Sequence, residues 1–267
     1  MSRIGAAGHS AVLLTAGLLL VGCGAIGSSS STPASGGGSG SSSSSSGGTG
    51  GSGGSGGSSG SGGSGFDTTL FPATVGNTWI YTDTLAGNQT GTTTNMIGAV
   101  TPDSAGERVT IKTHSDIPGL PTTPTALTYQ FNSDGSIEVP YAQVGNNTVT
   151  IKSGGIVWPS ASELATGQPH TSTLVLQIKA AGHSVTVQAH VTVKGDGTES
   201  VTVPAGTYQA TVVDETISEQ VAGLKVAIVV KTWLANGVGP VKSVASTKSG
   251  GVSQIVSSEA LKAFIKG

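Results

Sequence analysis

The sequence predicts an all-β fold: a single domain of antiparallel strands forming a curved sheet, half-barrel or sandwich, with at most one short C-terminal helix. Three observations predict it. From Phe66 to Gly267 the chain consists of short runs rich in Thr, Val and Ile, a composition that suits pleated, half-buried strands. Within the runs apolar and polar residues alternate with period two. Between the runs stand Gly, Pro, Asn and Asp in combinations that make tight turns.

The N-terminus must be set aside before the fold is read. Ala11 to Val21 is an uncharged apolar run behind Arg3, shorter than the roughly 20 residues that an ordinary transmembrane helix requires. It has the character of a secretory core region. Leu20-Val21-Gly22-Cys23 resembles the lipobox of bacterial lipoprotein precursors, and Cys23 is the only cysteine in the chain. The resemblance implies residues 1–22 as a signal peptide and Cys23 as an acylated N-terminus, with 23–27 as its anchored stub. Two or three acyl chains hold a protein firmly where one holds it only marginally. Gly24, where Asp would favour retention at an inner membrane, implies the outer membrane in an organism with two.

Residues 28–65 form a linker. Its 38 positions carry 18 Ser and 16 Gly and no charge, so it has nothing with which to build a core. Such a chain spans about 35 Å on average and roughly 130 Å when stretched. Gly50 to Gly54 and Gly60 to Gly65 match a nucleophile elbow and a dinucleotide loop in letters only, because neither has the strand before and helix after that those motifs need.

Residues 66–267 make the β-rich extracytoplasmic domain. The clearest strand is His183 to Lys194, where Val185, Val187, Ala189, Val191 and Val193 share one parity and Thr186, Gln188, His190 and Thr192 the other. Further stripes are Ile137, Val139, Tyr141; Leu174, Leu176, Ile178; Tyr208, Ala210, Val212; and Leu224, Val226, Ile228, Val230. Turns are expected at Ser133 to Gly135, Gly145 to Asn147, Gly195 to Gly197, Pro204 to Gly206, Asn236-Gly237 and Ser249 to Gly251. Ile117 to Pro124 carries three prolines and is expected to be an irregular loop. Ser257 to Lys266 spaces Ala260, Leu261, Phe264 and Ile265 as an amphipathic helix would, in competition with a closing strand from Val252 onward.

Three blocks then invite comparison: Phe71 to Tyr81 with its Val75-Gly76-Asn77 and Trp79, Val203 to Tyr208, and Thr232 to Lys242. In order and spacing they resemble the TapB-like family of bacterial lipoproteins and periplasmic β-domains. That resemblance implies a mostly antiparallel fold similar to the half-barrels of lipoprotein carriers, and no activity. Mechanically, Val75 to Asn77 is a turn that delivers Trp79 into the sheet, and Gly237 and Gly239 mark a bulge or a close backbone approach. Trp79, Trp158 and Trp233 are the candidates for core anchors or for the wall of a pocket.

Chemistry-bearing patterns are sparse. A net charge of −2 and a pI near 6.2 argue against a nucleic-acid partner. His183 and His190 have opposite parities and cannot share a metal on one regular strand. Asp214 and Glu215 diverge for the same reason, while Asp103, Glu107, Asp116, Asp134 and Asp196 are expected in loops. No catalytic residue, cofactor or metal site is therefore expected. The expected function is that of a lipid-anchored, non-enzymatic envelope protein, held at the membrane by its anchor, with a β-domain for binding or structure and a lipid, glycan or envelope-protein partner. The alternatives are a hydrophobic-ligand carrier, with a cavity lined by residues such as Trp79, Val187 and Leu224, and a hydrolase with a loop-borne site.

Overall fold

A computed structural model describes residues 70–118, 125–139, 142–144, 147–180, 183–221, 224–249 and 252–267. Cys23, the linker 28–65, Tyr141, the Gly145-Asn146 turn and most of the proline-rich loop lie outside the described residues, as do the side chains of Val139, Leu176, Ile178, His183, Val185, Leu224 and Val226. The strands are β1 (Thr78–Leu85), β2 (Gln89–Asp103), β3 (Gly106–Ser115), β4 (Thr125–Asn132), β5 (Ile137–Val139), β6 (Ala142–Val144), β7 (Asn147–Ser153), β8 (Ile156–Trp158), β9 (His170–Ala180), β10 (His183–Val203), β11 (Gly206–Val221), β12 (Leu224–Ala235), β13 (Gly239–Ser249) and β14 (Val252–Ile265). One short helix, α1 (Ala161–Ala165), precedes β9 and is started by a capping box between Ser160 and Glu163.

All fourteen strands join one antiparallel sheet in the order β6-β7-β9-β10-β11-β12-β13-β14-β1-β2-β3-β4-β5-β8. Most neighbours are consecutive hairpins, and the seam between β1 and β14 joins the first strand to the last. The sheet curls. Trp158 on β8 and Glu215 on β11 stand nine strand positions apart, about 43 Å in a flat sheet, yet their side chains meet at 2.9 Å. A sheet of this many strands cannot stay flat under its own twist.

The core follows the alternation. Val187, Ala189, Val191 and Val193 are buried while Thr186, Gln188 and His190 are exposed. One apolar cluster gathers Leu174, Ala189, Val191, Val193, Val213 and Ile217 with Ile156 and Leu164 from β8 and α1. A second gathers Trp79, Tyr81, Ile97, Val109, Phe131, Val241 and Leu261 with Val212 and Trp233. On β11 the buried parity changes between Ala210-Val212 and Val213-Glu215-Ile217, so this strand packs both of its faces.

Three expectations are corrected. The C-terminal segment is strand β14 and not a helix, and the described helix lies instead at Ala161–Ala165. Gly195 to Gly197 is not a turn: β10 runs through it, with a bulge between Gly195 and Thr198. The Gly and Asp that suit a turn suit a bulge equally well. Asp103 and Glu107 are not loop residues but lie opposite each other's neighbours at the ends of β2 and β3, with Asp103 ion-paired to Arg108 at 2.9 Å.

Candidate functional site

The inner face of the sheet around the β1/β14 seam has an apolar floor and an acidic band above it. The floor begins with the turn ahead of β1. Gly76 takes a φ of 91°, and Asn77 behind it ties the segment ahead of β1 to the residues after β14: its amide donates to the Pro72 carbonyl at 2.8 Å and its side-chain oxygen accepts from the Gly267 N–H at 3.0 Å. Trp79, 1% exposed, stacks on Phe264 and meets Phe71 at a tilt of 37°, each with centroids 5.3 Å apart. Its indole N–H donates to the Val238 carbonyl at 2.5 Å, and the Tyr81 hydroxyl donates to the Pro240 carbonyl at 2.9 Å. Gly239 runs so close that a Cβ there would sit 3.3 Å from the Trp79 nitrogen. This is the close backbone approach expected at Gly239; Gly237, where a Cβ would meet nothing within 4 Å, is a turn glycine with φ 71°.

The three tryptophans do not share one wall. Trp79 and Trp233 belong to one apolar cluster and Trp158 packs on the other. Trp233 pairs with Lys242 across β12 and β13, on the face opposite Thr232 and Ser243. There Lys242 Nζ stands 4.8 Å from its ring and Lys231 Nζ 5.7 Å, while its N–H donates to Glu199. Trp158 donates its N–H to Glu215 Oε2 at 2.9 Å. Each indole thus has its own polar partner, as buried indoles usually do.

Above the floor the cross-strand rows turn polar. Asp83 faces Glu259, Glu259 faces Ser243, Ser243 faces Thr232 and Thr232 faces Val213, all buried. The next row runs from Ser257 through Ala245 and Val230 to Glu215, with Glu219 four residues further along β11. Among the described residues every buried ionisable side chain other than Tyr81 and Tyr129 is an acid: Asp83, Glu215, Glu219 and Glu259. Both carboxyl oxygens of Asp83, one of Glu215 and one of Glu219 receive no hydrogen bond. Such groups are costly in their charged form.

Burial accordingly lifts all four. Glu259 is pushed up to about 8 by burial and by the neighbouring Asp83. Asp83 rises to about 6, chiefly by burial; the Thr93 hydroxyl beside it opposes the shift and Asp116 adds to it. Burial takes Glu215 to about 7 against the Trp158 N–H, and raises Glu219 as well. The arrangement can hold protons at neutral pH. Among the described residues no three of His, Cys, Asp or Glu gather as a metal site. His190 is exposed on β10, and Asp214 and Glu215 do diverge, one half-buried and one inward.

Sequence reasoning missed this band, although parity carried the signal. Asp83 shares the parity of Trp79 and Tyr81, and Glu259 that of Ser257 and Leu261.

The 2.9 Å bond from Trp158 has a measurable consequence. Trp158→Phe keeps the packing and leaves Glu215 with no donor on either oxygen, so its carboxyl should rise further. We expect a loss of about 1 to 3 kcal/mol, larger at pH 8 than at pH 5, because the lost N–H favours the ionised form. Urea titrations at the two pH values check it, and an equal loss at both would contradict this account.

With this geometry in place, comparison with known proteins adds the following. A model of the DUF3108-like family matches residues 130–260. The match runs from β4 to β14 and takes in the Val203 to Tyr208 and Thr232 to Lys242 blocks, whereas the Phe71 to Tyr81 block lies outside it; it does not confirm the TapB-like name. Two solved structures are similar: a candidate lipoprotein of Parabacteroides distasonis (15% identity, 74% of this chain and 98% of that one, TM-score 0.54) and a candidate exported protein of Bacteroides fragilis with a YmcC-like fold (17% identity, 74% and 99%, TM-score 0.52). At these identities the likeness establishes a shared fold. No curated protein matches the chain significantly.

Proposed function

We propose that the chain is a non-enzymatic cell-envelope protein, anchored by lipid at Cys23 and holding its β-domain off the membrane on the 28–65 linker. Two features support the anchoring: the Leu20 to Cys23 box with its lone cysteine, and the lipoprotein and exported-protein descriptions of the two structural relatives. The reading of the domain as a binding or structural module rests on one observation: the inner face around the seam is filled by its own aromatic side chains. Trp79, Tyr81 and Phe131, each at most 2% exposed, occupy the floor where a carrier would need an open apolar chamber. The acidic band above it suits an acyl chain no better.

The test of the anchor is Cys23→Ser. The wild-type chain should sediment with membranes and label with radioactive palmitate, and the variant should be soluble and unlabelled. Retention of the variant on membranes would overturn the reading. Native mass spectrometry of the detergent-extracted protein tests the module: a stoichiometric co-purifying lipid would replace it with a carrier.

A further inference from the structure

The seam between β1 and β14 is where the folded domain joins its own ends, and two acids are set face to face in it. Asp83 on β1 and Glu259 on β14 are directly opposed partners in the antiparallel register, which places their Cβ atoms about 4.5 to 5.5 Å apart. Both are buried, and the Thr93 hydroxyl is all that favours a charge on Asp83. Like charges directly opposite each other in a ladder repel, and in an interior without counter-ions the repulsion is barely screened. We propose that Asp83 and Glu259 form a proton-operated latch: a retained proton holds the first strand of the domain to the last, and its loss at alkaline pH loosens that seam.

Among the described residues no neighbouring element supplies a charge that could replace the proton. On β2 the position opposite Asp83 is Gly91, where a Cβ would lie 2.6 Å from the Ile117 side chain, so no side chain can stand there. Thr93, next along β2, is engaged with Ser115 at 3.2 Å. Asp116, just past β3, adds negative charge. On β13 Ser243 faces Glu259, and the neighbouring Lys242 lies on the other face, against Trp233. Lys262 on β14 and Lys266 just after it are exposed, as is the β2 tip at Gln89 and Thr90. The β10–β11 turn brings no charge to the seam: its Ala205 N–H donates to the Leu261 carbonyl at 2.9 Å, and Val201, Val203 and Tyr208 pack on the apolar cluster there. Tyr81, the titratable neighbour on β1, donates its hydroxyl to Pro240.

The sign follows from linkage. Free carboxyls titrate near 4, whereas the pair in the seam is raised, so between about pH 4 and pH 8 the folded state holds more protons than the unfolded one. Its stabilisation is complete below that window and is lost as pH rises through it. The pair titrates as a unit, so the two steps belong to both residues. Each extra proton held makes the folding equilibrium fall by up to tenfold per pH unit.

The test uses the mature full-length chain in detergent, compared with Glu259→Gln and Asp83→Asn. Urea unfolding from pH 5 to pH 9 should show the wild-type folding constant falling. In Glu259→Gln the fall should be shallower by up to tenfold per pH unit, and Glu215→Gln serves as a control for the second acid site. Hydrogen exchange of the wild-type chain, corrected for intrinsic rates, should show β1 and β14 amides losing protection at pH 9 before those of β10 and β11. This second measurement stands even if a variant does not fold. An unchanged slope in Glu259→Gln, or seam amides no more pH-sensitive than those of β10 and β11, would overturn the latch. So would restoration of wild-type stability at pH 9 by calcium that is lost in Asp83→Asn, since a cation and not a proton would then bridge the pair.

Discussion

Replacing Trp79 by Ala is expected to destabilise the domain by about 3 to 5 kcal/mol, the cost of truncating a large buried aromatic. Domains of this kind hold about 5 to 15 kcal/mol in all, so the variant should be marginal or unfolded at 37 °C. The reason lies in how many elements converge on one ring. Phe71 ahead of β1, Phe264 on β14 and the Gly239 backbone at the start of β13 all pack on it. The truncation also leaves the Val238 carbonyl without its donor. Urea unfolding of the two proteins checks it. A near-wild-type midpoint would mean that the floor is not a packed core, and would reopen the question of a ligand chamber there.

Gly195→Val is expected to be comparably severe for a different reason. A Cβ built on Gly195 would lie 1.9 Å from the Leu164 carbonyl oxygen and 2.7 Å from its carbon. Those are backbone atoms of α1, so the helix must move as a body. Leu164 is part of the apolar cluster beneath β9 and β10, and moving it opens a cavity. We expect a loss of several kcal/mol, or a domain in which α1 is detached and cleaved readily by protease. Gly155→Ala, where a new Cβ would meet nothing within 4 Å, should be nearly neutral. Equal behaviour of the two variants would show that α1 does not rest on the β10 bulge.

These two sites differ in how visible they were beforehand. Trp79 stands behind a Val-Gly-Asn turn, and its parity with Tyr81 marks the inward face of β1 before any coordinates are known. Gly195 was visible only as a glycine in a Gly-Asp-Gly run, which is why it suggested a turn. Whether such a run reverses the chain or bulges it depends on what lies alongside, and α1 is more than 25 residues earlier.

The C-terminal segment shows the same limit. Leu261 and Phe264 are three residues apart, a helical spacing, yet both serve the floor from a strand. The register slips between Ile80 and Tyr81, so that Lys262 is the extra residue of a bulge and Phe264 returns to the inward face opposite Trp79. A bulge turns period two into an apparent period of three, and only pairing with β1 reveals it.

The acidic band carries the point to chemistry. Parity alone places Asp83 and Glu259 inward, whereas Glu215 has the parity opposite to the Tyr208, Ala210, Val212 stripe and is buried because β11 packs both of its faces. Their meaning depends on which strands become neighbours, and Asp83 and Glu259 stand far apart in sequence before β1 and β14 pair. By itself the sequence determined the all-β class and the inward stripes, because these rest on composition and on a two-residue period that each strand carries alone. The tertiary structure decided the closing strand, the bulges, the curl that brings Trp158 to Glu215 and the opposition of two acids, because each requires contact between segments that local sequence cannot bring together.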